Sequence, residues 1–487
     1  MNNSPLIPLT GNQHQYMYSD TLQCFLYAPR ALKIAMEKNA TTAIEVNDYY
    51  MRKLHFLQNH SFFDKASVNF QTDYTEEAVK QNMACLRQLL IEVTDLCNLK
   101  CKYCGYGEFY SNYDQRETRN QTFANVKILI DYLADLWHSD YNTSHNNSVI
   151  IGFYGGEPLL NMKLIKETIA YVESLSINNL KFKYNMTTNA MLLDRYIDFL
   201  VQKDFTLLIS LDGNEYQSGY RVDRNGNSSF KQVTKNIQKV KDSYPTFFEK
   251  NVNFNAVLHN RNSIESCLHS IYDIFGKKPI VSELNTNGII PERIDEFIQM
   301  FNDKAESFKI AIAHDSKIKD VFNMEDTDSI SYHAAIMNYS GNRYSTYVDM
   351  FDTEQNGKYI PTGTCRPFER KLFLTVNGKV LPCEKIGQEN VMARLSNGKL
   401  NLDCNAIAKY YSYLYKNIIK NCTHCNMKRN CGQCLFLLKK KNGQIICPSI
   451  QTDERLKKEF STFLTYAESH PGAVSYTHLT LPTNSRV

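Results

Sequence analysis

The sequence IEVTDLCNLKCKYC at residues 91–104 places three cysteines on one short loop. Its first residues belong to an apolar run, which predicts a buried strand. The strand leads directly into Cys97, Cys101 and Cys104, which are spaced C-x3-C-x2-C. Three thiolates on one loop can hold three irons of a 4Fe–4S cluster and leave the fourth iron open to a further ligand. Chance spacing or part of a zinc knuckle is the alternative, but a zinc site needs a fourth ligand close by and paired C-x2-C spacing.

The loop resembles that of the radical S-adenosylmethionine (SAM) enzymes. In that family the open iron chelates the amino and carboxylate groups of SAM, and an electron from the cluster cleaves SAM to methionine and a 5′-deoxyadenosyl radical. The resemblance implies that Cys97, Cys101 and Cys104 hold this cluster. It also implies that Tyr103, the aromatic residue before the third cysteine, belongs to the cofactor site.

Composition limits the class of protein. The 487 residues suggest two or three domains, and the 43% apolar content is that of a globular protein. The net charge of +4 gives no general case for nucleic-acid binding. We find no apolar run of about 18 residues that would predict a membrane span, and no secretory signal at the first residues. We therefore expect a cytoplasmic protein that binds neither membranes nor nucleic acid.

The 14 cysteines are unevenly distributed. In a cytoplasmic protein we expect reduced thiols, metal ligands or catalytic groups rather than disulfides. Three cysteines lie at 97–104 and eight between residues 365 and 447, and such clustering indicates metal binding. Isolated cysteines are more simply interpreted as small buried apolar residues; these are Cys24, Cys85, Cys267 and Cys404.

The central segment, residues 87–290, alternates between strand-like and helix-like stretches, which predicts βα units and a parallel sheet. The predicted strands are Leu89–Thr94, Val149–Tyr154, Lys181–Met186, Thr206–Leu211, Asn253–Leu258 and Pro279–Leu284. The predicted helices are Phe123–Trp137, Leu164–Leu175, Leu192–Val201, Phe230–Val240 and Ile264–Ile274. Six such units would form an α/β fold, the open, partial (β/α)6 barrel of the radical SAM family.

Two motifs follow the second and third predicted strands, at the strand ends where parallel α/β folds collect their chemistry. Gly155-Gly156-Glu157-Pro158 is similar to the family's GGEP motif, which binds the amino group of SAM; a tight turn is the alternative. The next motif, residues 187–193, resembles T-N-G-x-L-L with Ala190 in place of the glycine. It implies that Thr188 and Asn189 reach SAM or its ribose, whereas a helix cap at Asn189 is the alternative.

The fourth strand ends in Ser210-Leu211-Asp212-Gly213, followed by Arg221. This order is similar to a stretch of radical SAM peptide maturases and sulfatase maturases, although Asn214 replaces the usual proline. The resemblance places Ser210, Asp212 and Arg221 in the cofactor site, with the serine and the arginine fork on the SAM carboxylate. The alternatives are a turn cap for Asp212 and a solvated surface charge for Arg221.

The flanking segments carry weaker signals. In a predicted N-terminal module, residues 1–86, strands at His14–Tyr18 and Cys24–Tyr27 precede helices at Arg30–Lys38 and from Asn47 onward. This module resembles the small winged-helix domain that holds leader peptides by strand addition; a plain extension packed on the barrel is equally compatible. Beyond the barrel we predict a linking segment at residues 291–360, with helices at Ile294–Phe301 and Ile330–Met337. A helix at 451–473 and a non-native tail at 474–487 complete the prediction.

The segment 361–450 contains a second group of cysteines around a predicted hairpin with an Asn377-Gly378 type I′ turn. It is similar to the SPASM extension of radical SAM enzymes, which carries two auxiliary 4Fe–4S clusters. The resemblance assigns four cysteines to an outer cluster, namely Cys422, Cys425, Cys431 and Cys447. It assigns Cys365, Cys383 and Cys434 to an inner cluster whose fourth position is open or held by another residue type. A zinc knuckle of Cys422, Cys425, Cys431 and Cys434 is the alternative.

These resemblances predict a radical SAM–SPASM enzyme that abstracts hydrogen from a ribosomally made precursor peptide and installs a thioether or carbon–carbon cross-link. A flavodoxin- or ferredoxin-type protein would donate the electron. Glu384 could act as a general base if its pKa is raised, whereas a surface glutamate is the simpler interpretation. One alternative function is an anaerobic sulfatase maturase that forms formylglycine. Another is a non-catalytic peptide-binding partner with a structural zinc knuckle.

Overall fold

The structure is a computed structural model. It describes residues 6–20, 24–28, 48–60, 68–143, 148–177, 180–314, 359–428, 431–441 and 444–470. The helices predicted at Arg30–Lys38 and Ile330–Met337 lie outside these ranges. Spatial contacts divide the chain into two compact units. The sheet unit contains residues 73–318 and 365–412, and the terminal unit contains residues 1–72, 319–364 and 413–487.

The strands of the described residues are numbered in chain order: β1 Leu6–Thr10, β2 Gln15–Ser19, β3 Cys24–Tyr27, β4 Gln88–Thr94, β5 Ser148–Gly155, β6 Lys181–Thr188, β7 Thr206–Ser210, β8 Val252–Val257, β9 Ile280–Ser282, β10 Lys371–Leu374, β11 Lys379–Leu381, β12 Ala393–Ser396, β13 Lys399–Asn401, β14 Lys439–Lys441 and β15 Gln444–Ile446. The helices are α1 Asp48–Asn59, α2 Glu76–Ala84, α3 Phe123–His138, α4 Met162–Ser174, α5 Leu193–Gln202, α6 Phe230–Ser243, α7 Pro245–Asn251, α8 Ile264–Phe275, α9 Ile294–Met300, α10 Lys304–His314, α11 Cys404–Cys422 and α12 Asp453–Ser469.

The sheet unit is built on one ten-stranded sheet in the order β13-β12-β11-β10-β4-β5-β6-β7-β8-β9. Strands β4 to β9 are parallel and adjacent in chain order, as the alternating sequence pattern predicts. All residues of β4 after the first are buried, because helices cover a parallel sheet on its faces. The six predicted strands and the five predicted helices between them are confirmed, with ends that differ by a few residues.

Local signals explain where these helices begin and end. The Thr122 side chain accepts a hydrogen bond from the Asn125 amide at the start of α3, and Ser263 and Ser266 form a capping box at the start of α8. Gly276 ends α8 with φ +72°, a conformation in which glycine is favoured. Because the strands between these helices are parallel, their carboxyl ends lie on one edge of the sheet.

Strand β10 extends this sheet on the far side of β4 and runs parallel to it, and β11 pairs antiparallel with β10. The predicted hairpin is confirmed, but the predicted type I′ turn is wrong. A type I′ turn needs two central residues with positive φ, and here Gly378 has φ +71° whereas Asn377 is not left-handed. Residues 375–378 connect the two strands, and within them the Val376 amide donates to Glu92 Oε2 at 2.9 Å.

The terminal unit contains a three-stranded antiparallel sheet in the order β1-β2-β3. The sequence pattern predicts β2 and β3 but not β1, whose Pro8 weakens the strand pattern. One face of this sheet packs on α12 through an apolar cluster of Ile7, Leu9, Tyr18, Leu456, Phe460, Phe463 and Leu464. Glu468 Oε2 accepts from the Gln13 amide at 2.7 Å, and Oε1 accepts from Tyr16 Oη at 2.9 Å. Within the described ranges, every helix is too short or too polar to cross a membrane.

Candidate active site

A cavity of about 290 Å³ opens at the carboxyl ends of the parallel strands, where this fold class binds ligands. It brings together most residues that the sequence motifs predicted: Cys97, Cys101, Tyr103, Cys104, Gly155, Gly156, Glu157, Thr188, Asn189, Ser210, Arg221 and Glu384. Two predicted residues do not line it. Pro158 begins a 3-10 helix, Pro158–Asn161, and Asp212 lies fully buried behind the cavity wall.

The GGEP motif and the cysteine loop are packed backbone against backbone. The Gly156 amide donates to Thr94 O at 2.8 Å, and the Glu157 amide donates to Leu96 O at 2.8 Å. A Cβ atom on Gly156 would lie 1.9 Å from Leu96 O, and one on Gly155 would lie 2.2 Å from Thr94 O. Both glycines are therefore required for this contact, which fixes the start of the cysteine loop.

Replacing Gly156 with alanine is expected to destabilise the protein by about 3 kcal/mol, the upper end for overpacking a core. The backbone of Leu96 cannot yield without displacing the cysteine loop, so iron retention should fall as well. Anaerobic denaturant unfolding and iron analysis would measure both effects. Gly226→Ala is the matched control, because nothing lies within 4 Å of a Cβ there and its φ of +86° costs only about 1–2 kcal/mol. Equal effects of the two substitutions would contradict this account.

Glu157 joins the ends of β5 and β6. Its Oε1 accepts from Thr188 Oγ1 at 2.7 Å, and its Oε2 accepts from the Asn189 amide at 2.7 Å. Burial raises the pKa of Glu157, although these hydrogen bonds oppose the rise. Asn189 then reaches the cysteine loop, with Nδ2 2.7 Å from Asn98 Oδ1 and 3.7 Å from Cys97 Sγ. The three predicted motifs thus form one connected wall.

Ala190, which stands at the glycine position of the motif, has a left-handed backbone conformation. Its φ is +61°, and its side chain is fully buried. A left-handed alanine costs about 1–2 kcal/mol, which the surroundings offset. The Ala190 amide donates to Thr188 Oγ1 at 3.0 Å, and Asn236 Nδ2 donates to Ala190 O at 2.9 Å. These contacts hold the left-handed turn at Ala190 without a glycine.

Tyr103, Asp212 and Arg221 form a buried hydrogen-bonded group. Tyr103 Oη donates to Asp212 Oδ2 and accepts from Arg221 Nη1 at 3.0 Å. Asp212 Oδ1 accepts from the Val257 amide at 3.0 Å, and His259 Nε2 lies 3.7 Å from Oδ2. Burial alone would raise the pKa of Asp212, but His259, the Arg221 charge and Tyr103 together hold it below the ordinary value. Asp212 therefore supports the cavity through Tyr103 and Arg221, and does not face it.

The three motif thiols lie in surroundings that suit an anionic iron–sulfur group. Burial raises the pKa of Cys101 to about 12; Arg221 opposes the rise, and the nearby Cys104 and Cys97 thiols add to it. Bound iron would relieve this repulsion by holding the thiols as thiolates. The Leu99 amide donates to Cys97 Sγ at 3.4 Å, and Arg116 Nη2 donates to Cys104 Sγ at 3.3 Å. Among the described residues no three His, Cys, Asp or Glu side chains converge as a closed metal site, so the ligand set remains a prediction of the motif.

Glu384 lines the cavity but does not have the electrostatics of a general base. Lys371 Nζ lies 2.7 Å from Glu384 Oε1. Burial acts to raise the pKa of Glu384, yet the charge and hydrogen bond of Lys371 outweigh it and hold the pKa below its ordinary value. The raised pKa on which the predicted role depended is absent from the structure.

One wall of the cavity was not predicted from the sequence. It contains Tyr106, Tyr110, Tyr113, Tyr154 and Arg116. Four of these residues follow the third cysteine within the stretch GYGEFYSNYDQR, residues 105–116, whose density of aromatic residues was the available signal. Arg116 lies over the Tyr106 ring, with its guanidinium carbon 4.7 Å from the ring centroid. This wall therefore adds four aromatic side chains and one guanidinium group to the lining of the cavity.

In the terminal unit, Cys422, Cys425, Cys431 and Cys447 line a second cavity of about 770 Å³. The Gln451 amide donates to Cys425 Sγ at 3.3 Å, and the Gln433 amide donates to Cys431 Sγ at 3.4 Å. Burial raises the pKa of Cys422 to about 12, and the three neighbouring thiols add to the rise. Cys434 is not among the residues lining this cavity. Among the described residues these four thiols do not converge as a closed metal site, so the outer cluster and the zinc knuckle both stay predictions. Cys365 and Cys383 belong to the other unit.

Comparison with known proteins assigns the central segment. Residues 91–271 match the family model described as the radical SAM superfamily. This chain contains a radical SAM domain. The match spans β4 to α8, so it covers the cysteine loop and each of the motifs that line the cavity.

Two enzymes are similar to this chain in sequence, and one solved structure is similar in fold. The radical SAM cyclopropyl synthase TigE of Paramaledivibacter caminithermalis is 24% identical over 74% of this chain and 70% of that protein. A cysteine-type anaerobic sulfatase-maturating enzyme of Clostridium novyi is 28% identical over 40% of this chain, which spans 49% of that relative. The structure of native anSMEcpe with bound AdoMet and Kp18Cys peptide covers 80% of this chain and 99% of its own, with a TM-score of 0.51. At 15% identity, this likeness shows a shared fold.

Proposed function

We propose that this chain is a radical SAM peptide maturase that installs a thioether or carbon–carbon cross-link in a ribosomally made precursor peptide. The observation that carries the proposal is the single cavity that combines the three motif cysteines with the GGEP, Thr188-Asn189 and Arg221 elements. TigE is named as a cyclopropyl synthase, and the sulfatase-maturating enzymes are named for modifying a protein. A carbon-bond-forming enzyme that acts on a polypeptide fits both relatives.

Different residues of the cavity would bind the cluster and SAM. Cys97, Cys101 and Cys104 would ligate a 4Fe–4S cluster, which together with SAM supplies one-electron chemistry for hydrogen abstraction. Arg221 would bind the SAM carboxylate, for which its fork is suited, and Tyr103 and Asp212 hold the guanidinium in place. The Gly155-Gly156 backbone and Glu157 would receive the ammonium group. The side chains of Tyr106, Tyr110, Tyr113 and Tyr154 would exclude water from this cavity.

The cysteines of segment 361–450 would hold two auxiliary clusters, as in a SPASM domain. The cavity of Cys422, Cys425, Cys431 and Cys447 supports the outer cluster. The inner cluster would use Cys365, Cys383 and Cys434. A flavodoxin- or ferredoxin-type protein would supply electrons to these centres.

The N-terminal sheet would hold the leader of the precursor peptide by strand addition. Among the described residues, β3 pairs only with β2, so its outer edge offers unpaired backbone groups. The opposite edge is β1, where Pro8 lacks an amide to donate. This contrast favours β3 as the peptide edge. The boundaries of this module at 1–86, and those at 87–290, 291–360 and 361–450, remain part of the proposal.

A sulfatase maturase is the second candidate, favoured by the likeness to the Clostridium enzyme. In those enzymes an aspartate is thought to deprotonate the substrate, and Glu384 lies near the corresponding position of this chain. Glu384 forms an ion pair with Lys371. No cysteine between Cys365 and Cys383 completes the inner cluster in the way expected for that group. Both features favour the peptide maturase.

The test is metal analysis of anaerobically reconstituted protein together with a SAM-cleavage assay. We expect about twelve irons per chain, four for each cluster, no zinc, and 5′-deoxyadenosine after dithionite reduction. About four irons and one zinc would overturn the two auxiliary clusters and leave a zinc knuckle. Zinc without deoxyadenosine would support the non-catalytic alternative. A precursor peptide that has lost two hydrogens and does not react with an aldehyde probe would indicate a cross-link, whereas an aldehyde-reactive product would indicate formylglycine.

A further inference from the structure

Arg116 is a partly buried cation without a carboxylate partner. It follows the third motif cysteine by twelve residues and donates through Nη2 to Cys104 Sγ at 3.3 Å. Its Nε is buried without a hydrogen-bond partner. Within the part of the chain that the structure describes, Arg116 makes no ion pair with a carboxylate. Burial raises the pKa of the Glu92 carboxyl to about 7, and the nearby charge of Arg116 opposes this rise.

The neighbouring arginine shows what a paired guanidinium looks like in the same loop. Arg119 Nε lies 3.3 Å from Asp95 Oδ2, and Arg119 Nη1 lies 3.1 Å from Glu117 Oε2. A buried charge is retained when an opposite charge balances it. Arg116 instead donates to a sulfur atom, Cys104 Sγ.

We propose that Arg116 is the counter-ion of the iron–sulfur cluster held by Cys97, Cys101 and Cys104, and that it raises the reduction potential of this cluster. The inference rests on the proposed function, because it requires the cluster at these cysteines. Charge and hydrogen bonds at the sulfur ligands set cluster potentials. Reduction adds one electron to a group that is already negative, so a fixed cation beside Cys104 stabilises the reduced form more than the oxidised form.

The test compares three variants of the full chain, reconstituted with iron and sulfide: Arg116→Gln, Arg116→Lys and Lys100→Gln. Redox titration with dithionite as the electron donor, followed by electron paramagnetic resonance, gives the midpoint potential. The signal that changes on SAM addition identifies the relevant cluster. Lys100 is the matched control because it lies within the cysteine motif, yet its side chain is 72% exposed and screened by solvent.

We expect R116Q to lower the equilibrium constant for reduction at least tenfold, which is about 59 mV for a one-electron couple. R116K, which keeps the charge, should stay within threefold of the wild type, and K100Q should leave the constant unchanged. R116Q with full iron content and a constant within twofold of the wild type would overturn the proposal. R116K as low as R116Q would also overturn it, because the planar fork and not the charge would then be responsible.

If the cluster does not assemble in R116Q, its potential cannot be measured. The iron that each variant retains in the presence of a chelator is then the second readout. Iron loss from R116Q with retention in R116K and K100Q would support the counter-ion, whereas loss from both Arg116 variants would overturn it. A variant lacking Cys97, Cys101 and Cys104 separates the two proposals. If it keeps wild-type iron, the cluster assignment itself fails; if it loses iron while R116Q keeps an unchanged potential, only the role of Arg116 fails.

Discussion

Replacement of Cys97, Cys101 and Cys104 by alanine is expected to reduce the iron content by about four atoms per chain and to reduce SAM cleavage to background. The three thiols line one cavity with the predicted SAM contacts, and they are the only cysteines that line it within the described residues. The loss should therefore not be compensated by a neighbouring ligand. Anaerobic iron analysis and quantification of 5′-deoxyadenosine would measure both effects.

Cys85→Ala provides the control for this substitution. Cys85 lies in the same unit, and its Sγ is 3.7 Å from Tyr141 O and from Thr143 Oγ1, away from the cavity lining. Its removal should leave iron and activity unchanged. Wild-type iron content in the triple variant would exclude a cluster at this loop and with it the proposed function.

Replacement of Asp212 by alanine is expected to destabilise the protein by about 3–5 kcal/mol, the cost of breaking a buried charge pair by removing one partner. Asp212 is fully buried and accepts from Tyr103 and the Val257 amide. Without it, the positive charge of the buried Arg221 would lose its balancing carboxylate. Anaerobic denaturant unfolding would measure the change in free energy.

A double variant tests whether charge is the cause. D212A combined with Arg221→Met removes both charges, so its cost should be smaller than the sum of the two single costs by about 0.5–3 kcal/mol. Asp242→Asn, at an exposed position on α6, should change the stability by less than about 0.5 kcal/mol. Additive costs in the double variant would show that D212A acts through lost packing and not through an unpaired charge.

The arrangement of the parallel sheet could be predicted from sequence because each strand is a short apolar run and each helix between them has an amphipathic period. The ends of these strands then placed the GGEP and Thr188-Asn189 motifs beside the cysteine loop without further information. Strand β1 and helix α11 were missed for different reasons. Pro8 interrupts the strand pattern of β1, whereas α11 begins and ends at a cysteine, a residue type with a weak helix preference.

The parts of the site that were not predicted depend on tertiary contacts. The role of Arg116 requires knowing that a twelve-residue loop returns to Cys104, and irregular loops carry no period that would indicate this. Asp212 had the expected motif position, but its direction away from the cavity depends on Tyr103 and Val257, which come from other elements. The pKa of Glu384 depends on Lys371, whose distance across the hairpin no spacing rule provides.

The N-terminal sheet packs on α12, so during synthesis its apolar face stays uncovered until α12 has been made. The amide of Gln13 and the carboxylate of Glu468 that it contacts are separated by 455 positions in the chain. At ribosomal speeds of 5–20 residues per second, the sheet would wait roughly 20 to 90 s for its helix. Throughout that interval the apolar face that contains Leu9 and Tyr18 is not covered by α12. The residues of the sheet unit, which lie between β3 and α12 in the sequence, are synthesised during this time. Nascent chains of this protein should therefore depend on holding chaperones, and stalled or truncated chains should be prone to aggregation.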